Sequence, residues 1–264
     1  MDKTPDLRNS FDPRGLATAF VWLTRLPLGG FMGTPPPPLA AAVWAFPLVG
    51  LVVGTGGGLV VLGGSLLGLP DFAIAVLAVA ACIMLTGAMH EDGLADLADA
   101  AGGRDRNERL AIMRDSRIGS YGVLALGLVS ALRITSLAAL VHSTPWLGFA
   151  GLTGAAALSR AAMALGMWHL PPARCDGLGR MAGRPTMVGG GLALLLGAAI
   201  LCWPCLMMSR PLMAWLTTIG VAAIPVIWIM RRAQRQLGGQ TGDVLGAMQQ
   251  TCECAVLMTL VAFT

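Results

Sequence analysis

The sequence predicts an all-α fold, a polytopic integral membrane helix bundle. Three observations lead there. Only 12% of the 264 residues are charged, while 55% are hydrophobic; a soluble domain carries about a quarter charged residues. Mean hydropathy is +0.71. The apolar residues also gather into runs near the length that a helix needs to cross a bilayer, about 20 residues.

Taken in order, the first apolar stretch is "GLATAFVWLTRLPLGGF", 15–31. Arg25, Pro27 and Gly29 interrupt it, so it reads as an N-terminal interfacial or re-entrant helix and not as a span. The run "TPPPPL", 34–39, separates it from the first span. Seven stretches are long and oily enough to cross: 39–62, 71–89, 120–142, 146–168, 187–208, 211–230 and 244–263. Between the second and third lies a charged loop with its helix ends, 89–122. The chain 1–264 reads as a single integral membrane domain. The internal symmetry of an inverted-repeat transporter is not visible in it.

Basic residues set the orientation. Lys3, Arg8, Arg14 and Arg25 precede the first span. Arg104, Arg106, Arg109, Arg114 and Arg117 follow the second, Arg174, Arg180 and Arg184 the fourth, and Arg231, Arg232 and Arg235 the sixth. The intervening turns hold only Arg210. This alternation predicts a multi-pass membrane protein of seven spans. The N-terminus and charged loops are cytoplasmic, and the C-terminus lies outside. The first 15 residues mix both charges, unlike a secretory leader. The formal net charge of +4 is then a consequence of topology, and no nucleic-acid partner is expected. Six cysteines stand at 82, 175, 202, 205, 252 and 254. The "CWPC" pair, 202–205, lies inside an apolar run, so these thiols read as small hydrophobes and not as a redox couple.

Half of the 14 acidic residues fall within "MHEDGLADLADAAGGRDRNERLAIMRDSRIGSYG", 89–122. Asp92, Asp96 and Asp99 are spaced i, i+4, i+7, which makes one stripe on a helix. Three unpaired carboxylates on one stripe repel each other, and a hard divalent cation with oxygen ligands removes the conflict. Glu91 flanks the stripe as a further candidate ligand, and Gly93 with its small neighbours suggests close packing. "AGG", 101–103, breaks the helix. A short amphipathic helix comes next, with Arg104, Arg109, Arg114 and Arg117 as its positive charge and Asp115, Ser116 and Arg117 at its end. Acid beside Arg suits a metal-assisted phosphate reaction: metal neutralises some phosphate oxygens and guanidinium forks hold others.

These residues resemble a known family. "TGAMHEDGLADLADAAGG" followed by "ERLAIMRDSRIGSYGVLAL" is similar to the signature of the cobalamin synthases, the adenosylcobinamide-GDP ribazoletransferases. "FVWLTRLPL" (20–28), "LSRAAM…LPPARCDGLGR" (158–180) and "GGQTGDVLGAMQQTCECAVL" (238–257) resemble the family's other motifs in the same order. The resemblance implies a Mg²⁺-dependent, multi-pass transferase of the bacterial inner membrane, acting in the last nucleotide-loop step of adenosylcobalamin synthesis. Its substrates would be adenosylcobinamide-GDP and α-ribazole, or α-ribazole 5′-phosphate. The 5′-hydroxyl of the ribazole would attack, and GMP would leave. The reading leaves room for a homo-oligomer in the lipid bilayer.

Carried over residue by residue, the acidic motif gives His90, Asp92, Asp96 and Asp99. The next piece gives Asp115, Ser116 and Arg117. Arg160, Arg174 and Asp243 match single positions, and Glu253 falls where a glutamate is frequent. The expected roles are Mg²⁺ ligation by Asp92, Asp96 and Asp99, with Glu91 beside them and Asp115 completing the shell. His90 is the candidate general base, its ordinary pKa being near neutrality. Arg104, Arg109, Ser116, Arg117, Arg160, Arg174 and Asp243 are the candidate substrate contacts. Arg184 is a weaker one.

Arg133 and Arg160 lie inside spans, where a guanidinium costs at least ~2.5 kcal/mol and needs a partner or a polar cavity. Either they hold the diphosphate or they pair with carboxylates and fix the bundle. Glu253 lies ten residues beyond Asp243, ~15 Å deeper along one helix, so the two cannot ligate one ion. Two other functions stay open. One is a CDP-alcohol-phosphotransferase-like enzyme, although that family's D-x2-D-G-x2-A-R pattern is missing here. The other is a secondary transporter with an acidic cation site.

Overall fold

A computed structural model describes residues 12–174 and 182–264. These residues form eleven α-helices. In chain order they are α1 (Arg14–Leu23), α2 (Leu39–Ala42), α3 (Phe46–Leu66), α4 (Asp71–Thr86), α5 (Met89–Asp99), α6 (Arg106–Ile112), α7 (Ser120–Ser143), α8 (Pro145–His169), α9 (Met187–Leu206), α10 (Pro211–Gln236) and α11 (Gly242–Val261). No strand occurs among the described residues.

Five helical segments are long and apolar enough to cross a membrane: Leu39–Leu66, Ser120–Ser143, Met187–Leu206, Pro211–Gln236 and Gly242–Val261. A sixth qualifies only if α4 and α5 count together, and they meet at 90°. The expected seventh, α8, has 25 residues but is rich in Gly, Ala, Ser and Thr, which lowers its hydropathy. It needs little, because it runs through the middle of the bundle with nearly every residue buried. The lipid-facing helices instead expose Leu59, Leu124, Leu128, Leu195, Leu216 and Ile224. On a soluble protein such a surface would be an aggregation liability. The expected N-terminal element is α1, ten residues long, ~15 Å and too short to span.

Small residues let the central helices close up. A side chain at Gly50 would strike the Ala156 carbonyl, and one at Gly54 would come within 2.5 Å of the Thr153 Cα. α3 and α8 therefore meet backbone to backbone, the packing that membrane helices use in place of a hydrophobic driving force. Threonine hydroxyls cap three of the helices: Thr144 accepts from the Leu147 N–H, Thr186 from Gly189 and Thr241 from Val244.

The bend after α4 builds the functional end of the molecule. Gly87 has φ +69 and Ala88 φ 59, two consecutive left-handed residues that no helix can continue through. Arg25 lies over Gly87, and its backbone N–H donates to the Leu85 carbonyl at 2.8 Å. The chain after α1 is thereby pinned to the bend. α5 emerges across the bundle end, packed on α11 and α7. The expected span 71–89 thus stops at Thr86, and Met89 begins a different helix. At the other boundary, α10 runs on to Gln236 and takes in Arg231, Arg232 and Arg235. The sequence puts these in a loop, but Arg and Gln are good helix formers.

Candidate active site

α5 crosses α11 at two glycines. A Cβ on Gly93 would lie 2.8 Å from the Asp243 Cα, and one on Gly246 3.2 Å from the His90 Cα. This close crossing sets Asp92 and Asp96 of α5 beside Asp243, in the first turn of α11. Thr241, the cap of α11, also holds Asp243, its hydroxyl donating to Oδ2 at 3.2 Å. Burial pushes the Asp96 carboxyl up to about 7, helped by the negative charges of Asp92, Asp243 and Asp99 and opposed by Arg174. Asp92 is exposed and Asp96 half-buried, so this acidic group is open to solvent on one side.

The rest of the expected stripe divides. Asp99 accepts the Gly119 N–H at 2.7 Å and the Gly122 N–H at 2.8 Å. Its two oxygens cap α7 from outside that helix, a favourable place for negative charge. Glu91 faces inward. Its Oε1 accepts from Arg133 at 3.2 Å and from Gln250 at 2.8 Å. Among the described residues, no three His, Cys, Asp or Glu side chains converge as a ready-made metal cluster.

Behind α5 lies an interior polar network. Arg133 also donates to Glu253 at 2.5 Å and Gln250 at 2.6 Å. Gln249 donates to Glu253 and to Ser159. Arg160 is buried and donates to the Ala156 carbonyl of its own helix at 3.0 Å. Two guanidiniums thus stand among two carboxylates, and the charge is matched. Glu253 sits here and not with Asp243, as the depth along the helix requires. His90 is buried, and its Nε2 has no hydrogen-bond partner. Burial, with Arg160 and Arg133 nearby, holds its pKa well below the usual histidine range. An imidazole so placed resists taking a proton.

Two concave surfaces lie near the acidic group, one with its carboxylates in the wall and one reaching it through Arg174. On one side is an apolar pocket of about 260 Å³ between α1, α5, α8 and α11, with Asp92 and Asp243 in its wall. On the other is a basic groove lined by Arg106, Asn107, Leu110, Arg114 and Arg174. Backbone bonds build the groove. Gln240 exchanges strand-like contacts with segment 171–173: the Ala173 N–H donates to the Gln240 carbonyl and the Gln240 N–H to the Pro171 carbonyl, both at 2.8 Å. Arg106 donates to the carbonyls of Leu237, at 2.8 Å, and Ala173. Arg174 donates to the Leu110 carbonyl at 3.1 Å.

The remaining candidates lie apart. Arg109 lines a small crevice with Leu97, Ile229 and Arg232. Arg184 is exposed and donates to the Trp168 carbonyl. Arg104, Asp115, Ser116 and Arg117 are exposed on the α6–α7 link. Asp115 and Arg117 pair with each other at 2.7 Å. Lys3, Arg8, Cys175 and Arg180 lie outside the described residues, and the other five cysteines are all free thiols. Sequence reasoning passed over Arg106, Ser159 and Gln240 as site residues. Gln249 and Gln250 were visible as two amides in an apolar run, the available signal of an interior network.

The family model for cobalamin-5-phosphate synthase matches residues 15–261. The chain belongs to that family. Among its relatives is the adenosylcobinamide-GDP ribazoletransferase of Azorhizobium caulinodans, 44% identical over 86% of each chain. That of Bradyrhizobium diazoefficiens is 42% identical over 98% of this chain and 97% of its own. That of Xanthobacter autotrophicus is 43% identical over 94% and 96%. No solved structure matches the chain. As a cobalamin-5-phosphate synthase family member, the chain brings parts of its four motif stretches together near the α4–α5 bend: α1 and its tail at the bend, the acidic motif on α5, Ala173 and Arg174 of the middle motif at the groove, and the start of the last motif at the head of α11. Arg160 and Glu253 of the last two lie in the interior network.

Proposed function

We propose that this chain joins adenosylcobinamide-GDP to α-ribazole or α-ribazole 5′-phosphate and releases GMP, completing the nucleotide loop of adenosylcobalamin. The relatives' name gives the donor and the ribazole acceptor. What supports the reading in this molecule is the nearness of three carboxylates, Asp92, Asp96 and Asp243, which act on one another electrostatically beside an apolar pocket and within reach of Arg174 of the basic groove. One reactant is charged and phosphorylated and the other carries a flat, apolar base, so two unlike surfaces around one acidic group suit the pair.

An oxygen of the ribazole attacks the phosphorus on the cobinamide side. The bond from that phosphorus to the bridging oxygen breaks, GMP leaves with the electron pair, and the hydroxyl proton is released. We place the attack on a secondary ribose hydroxyl and not on the 5′ oxygen. The family is named for a 5-phosphate product, and a ribose that keeps a 5′-phosphate cannot spend that oxygen as nucleophile. Such transfers depend on in-line positioning and charge neutralisation more than on covalent chemistry.

The donor set suits Mg²⁺. It is all hard carboxylate oxygen, it carries unbalanced negative charge, and it is partly open, as an ion that keeps several waters requires. Asp92, Asp96 and Asp243 would hold it, with Asp99 and Glu91 committed to the α7 cap and to Arg133. When bound, the ion would neutralise phosphate oxygens. Arg174, between the acidic group and the groove, grips the diphosphate, and Arg114 and Asn107 extend the grip along the groove. Arg117 reaches the phosphates only as an outer contact. Arg133 acts behind the site, holding α5 through Glu91, and Arg160 stands beside it on α8. His90 stays neutral.

The experiment is direct. Purified protein in detergent, given adenosylcobinamide-GDP, α-ribazole and Mg²⁺, should release GMP. Folded protein without GMP release sinks the proposal. We further propose that the acidic end faces the cytoplasm of a bacterial cell across its inner membrane. A reporter fused after Arg106 should then read cytoplasmic, and one after Thr264 should read external. Both on one side would overturn that orientation.

A further inference from the structure

We infer that the apolar pocket between α1, α5, α8 and α11 is the seat of the aromatic base of the ribazole and sets which bases the protein accepts. The inference rests on the proposed reaction and adds a subsite to it. Size is the first argument. The pocket holds about 260 Å³, at or below the low end for small-molecule sites, about 300 Å³. A corrin macrocycle cannot enter such a space. Two fused rings with methyl substituents fill it.

Lining chemistry is the second. Phe46, Met163, Met167 and Leu245 are buried and sit on long helices, so their positions are fixed before anything binds. Trp22 of α1 closes the side. Aromatic and thioether walls suit a flat π-system, since sulfur and ring edges both pack favourably against it. A guanine base fits less well. Its edge carries several donors and acceptors that these walls would leave unsatisfied, each at a real desolvation cost. A dimethylbenzimidazole attached through one nitrogen has a single acceptor left.

Position is the third. Asp92 and Asp243 belong to the wall of the same pocket. A base buried among Phe46, Met163 and Met167 leaves its ribose pointing back to those carboxylates, where the attacking hydroxyl is required. The guanosine diphosphate of the other substrate has its cationic seat elsewhere, in the groove of Arg106, Arg114 and Arg174.

The test uses two variants of the full chain. Met89 is exposed at the pocket edge, so Met89→Trp narrows the opening without disturbing a packed core. It should raise KM for α-ribazole about tenfold and leave KM for adenosylcobinamide-GDP within about twofold. Met163→Ala enlarges the interior. It should weaken use of α-ribazole and improve use of a riboside with a bulkier, three-ring base. Thermal melting in detergent checks the fold, and Met89→Trp carries the test if Met163→Ala is unstable. A KM shift confined to adenosylcobinamide-GDP would put the guanine in the pocket and overturn the inference. So would two unmoved KM values. If the parent releases no GMP at all, the proposed reaction itself has failed. If the parent turns over and the variants leave both KM values unmoved, only the base subsite has failed.

Discussion

Glu91 and Asp92 are sequence neighbours on one short helix, yet they belong to two opposite electrostatic regions. Glu91 turns into the bundle and meets Arg133 and Gln250. Glu253 completes that region, and Arg160 stands beside it. Asp92 turns outward to Asp96 and Asp243, where burial and like charges raise the Asp96 pKa and Arg174 is the opposing cation. The first region has charge matched to charge, tied by side-chain hydrogen bonds among Arg133, Glu91, Gln250 and Glu253. The second has carboxylates in excess. Matched charge buried among helices holds a structure together, whereas unmatched charge at a pocket edge waits for a cationic partner. The difference separates scaffold from site within a single turn of helix.

The largest effect should come from the unmatched region. Asp96→Asn keeps the shape and removes one anionic ligand, so turnover should fall about a thousandfold, comparable to losing a principal electrostatic contact, while the melting temperature holds or rises. The pH behaviour sharpens this. With its pKa raised to about 7, Asp96 is ionised only above that value. Each unit of acid below it should weaken Mg²⁺ half-saturation by about tenfold in the parent. Asp96→Asn should lose that dependence. A variant that turns over normally at limiting Mg²⁺ would mean that this region is not the cation site.

The matched region predicts the reverse pattern. Arg133→Met leaves Glu91 and Glu253 without their shared partner, and breaking a buried pair costs about 3–5 kcal/mol. Membrane-extracted protein should melt far lower or fail to accumulate. Any folded fraction should retain its Mg²⁺ half-saturation. If Arg133→Met keeps its melting temperature and loses only turnover, the interior network is chemical, and the contrast between the two regions collapses.

Much of this was legible in the sequence, for definable reasons. Runs of about 20 apolar residues have few alternatives to spanning helices, so the helix ends fall close to the expected ones. The stripe of Asp92 and Asp96 followed from helical spacing, and Gly93 correctly suggested close packing. The 90° turn after Thr86 was not legible. It depends on Ala88 adopting a left-handed conformation that alanine rarely takes, next to Gly87 and the Arg25 that lies over it. Without that turn, nothing says which face of α5 is interior. Glu91 therefore read as a metal ligand, and its tie to Arg133 could not be assigned. Asp99 kept helical register with the stripe, but its bonds to Gly119 and Gly122 are tertiary and leave no local pattern. Asp243 came from resemblance alone, because its nearness to Asp96 is made by a helix crossing.

Asp99 itself offers a milder break. Asp99→Ala removes the acceptor for two N–H groups at the start of α7, a loss of about 1 kcal/mol by the measure of helix caps. Melting should drop by a few degrees. Turnover should fall less than in Asp96→Asn, and extra Mg²⁺ should not restore it. Full rescue by Mg²⁺ would return Asp99 to the cation site and widen the unmatched region by one carboxylate.

The smallest effect concerns the arginines that flank the unmatched region. Arg174 sits close enough to Asp96 to oppose the rise in its pKa. Arg117 is 87% exposed at its side chain and pairs with Asp115. Lysine keeps the charge at either position and loses the planar fork that grips two phosphate oxygens together. Arg174→Lys should therefore raise KM for adenosylcobinamide-GDP clearly, by about tenfold, one bidentate contact's worth. Arg117→Lys should raise it only about two- to threefold, the range of an exposed ion pair. Neither should respond to added Mg²⁺, because neither holds the cation. Titrating Mg²⁺ and adenosylcobinamide-GDP against both variants and the parent decides the matter. A larger loss at Arg117 than at Arg174 would mean that the α6–α7 link, and not the groove, closes on the substrate. Magnesium rescue at Arg117 would make it a partner of the carboxylates through Asp115, and the phosphate role would rest on the groove alone.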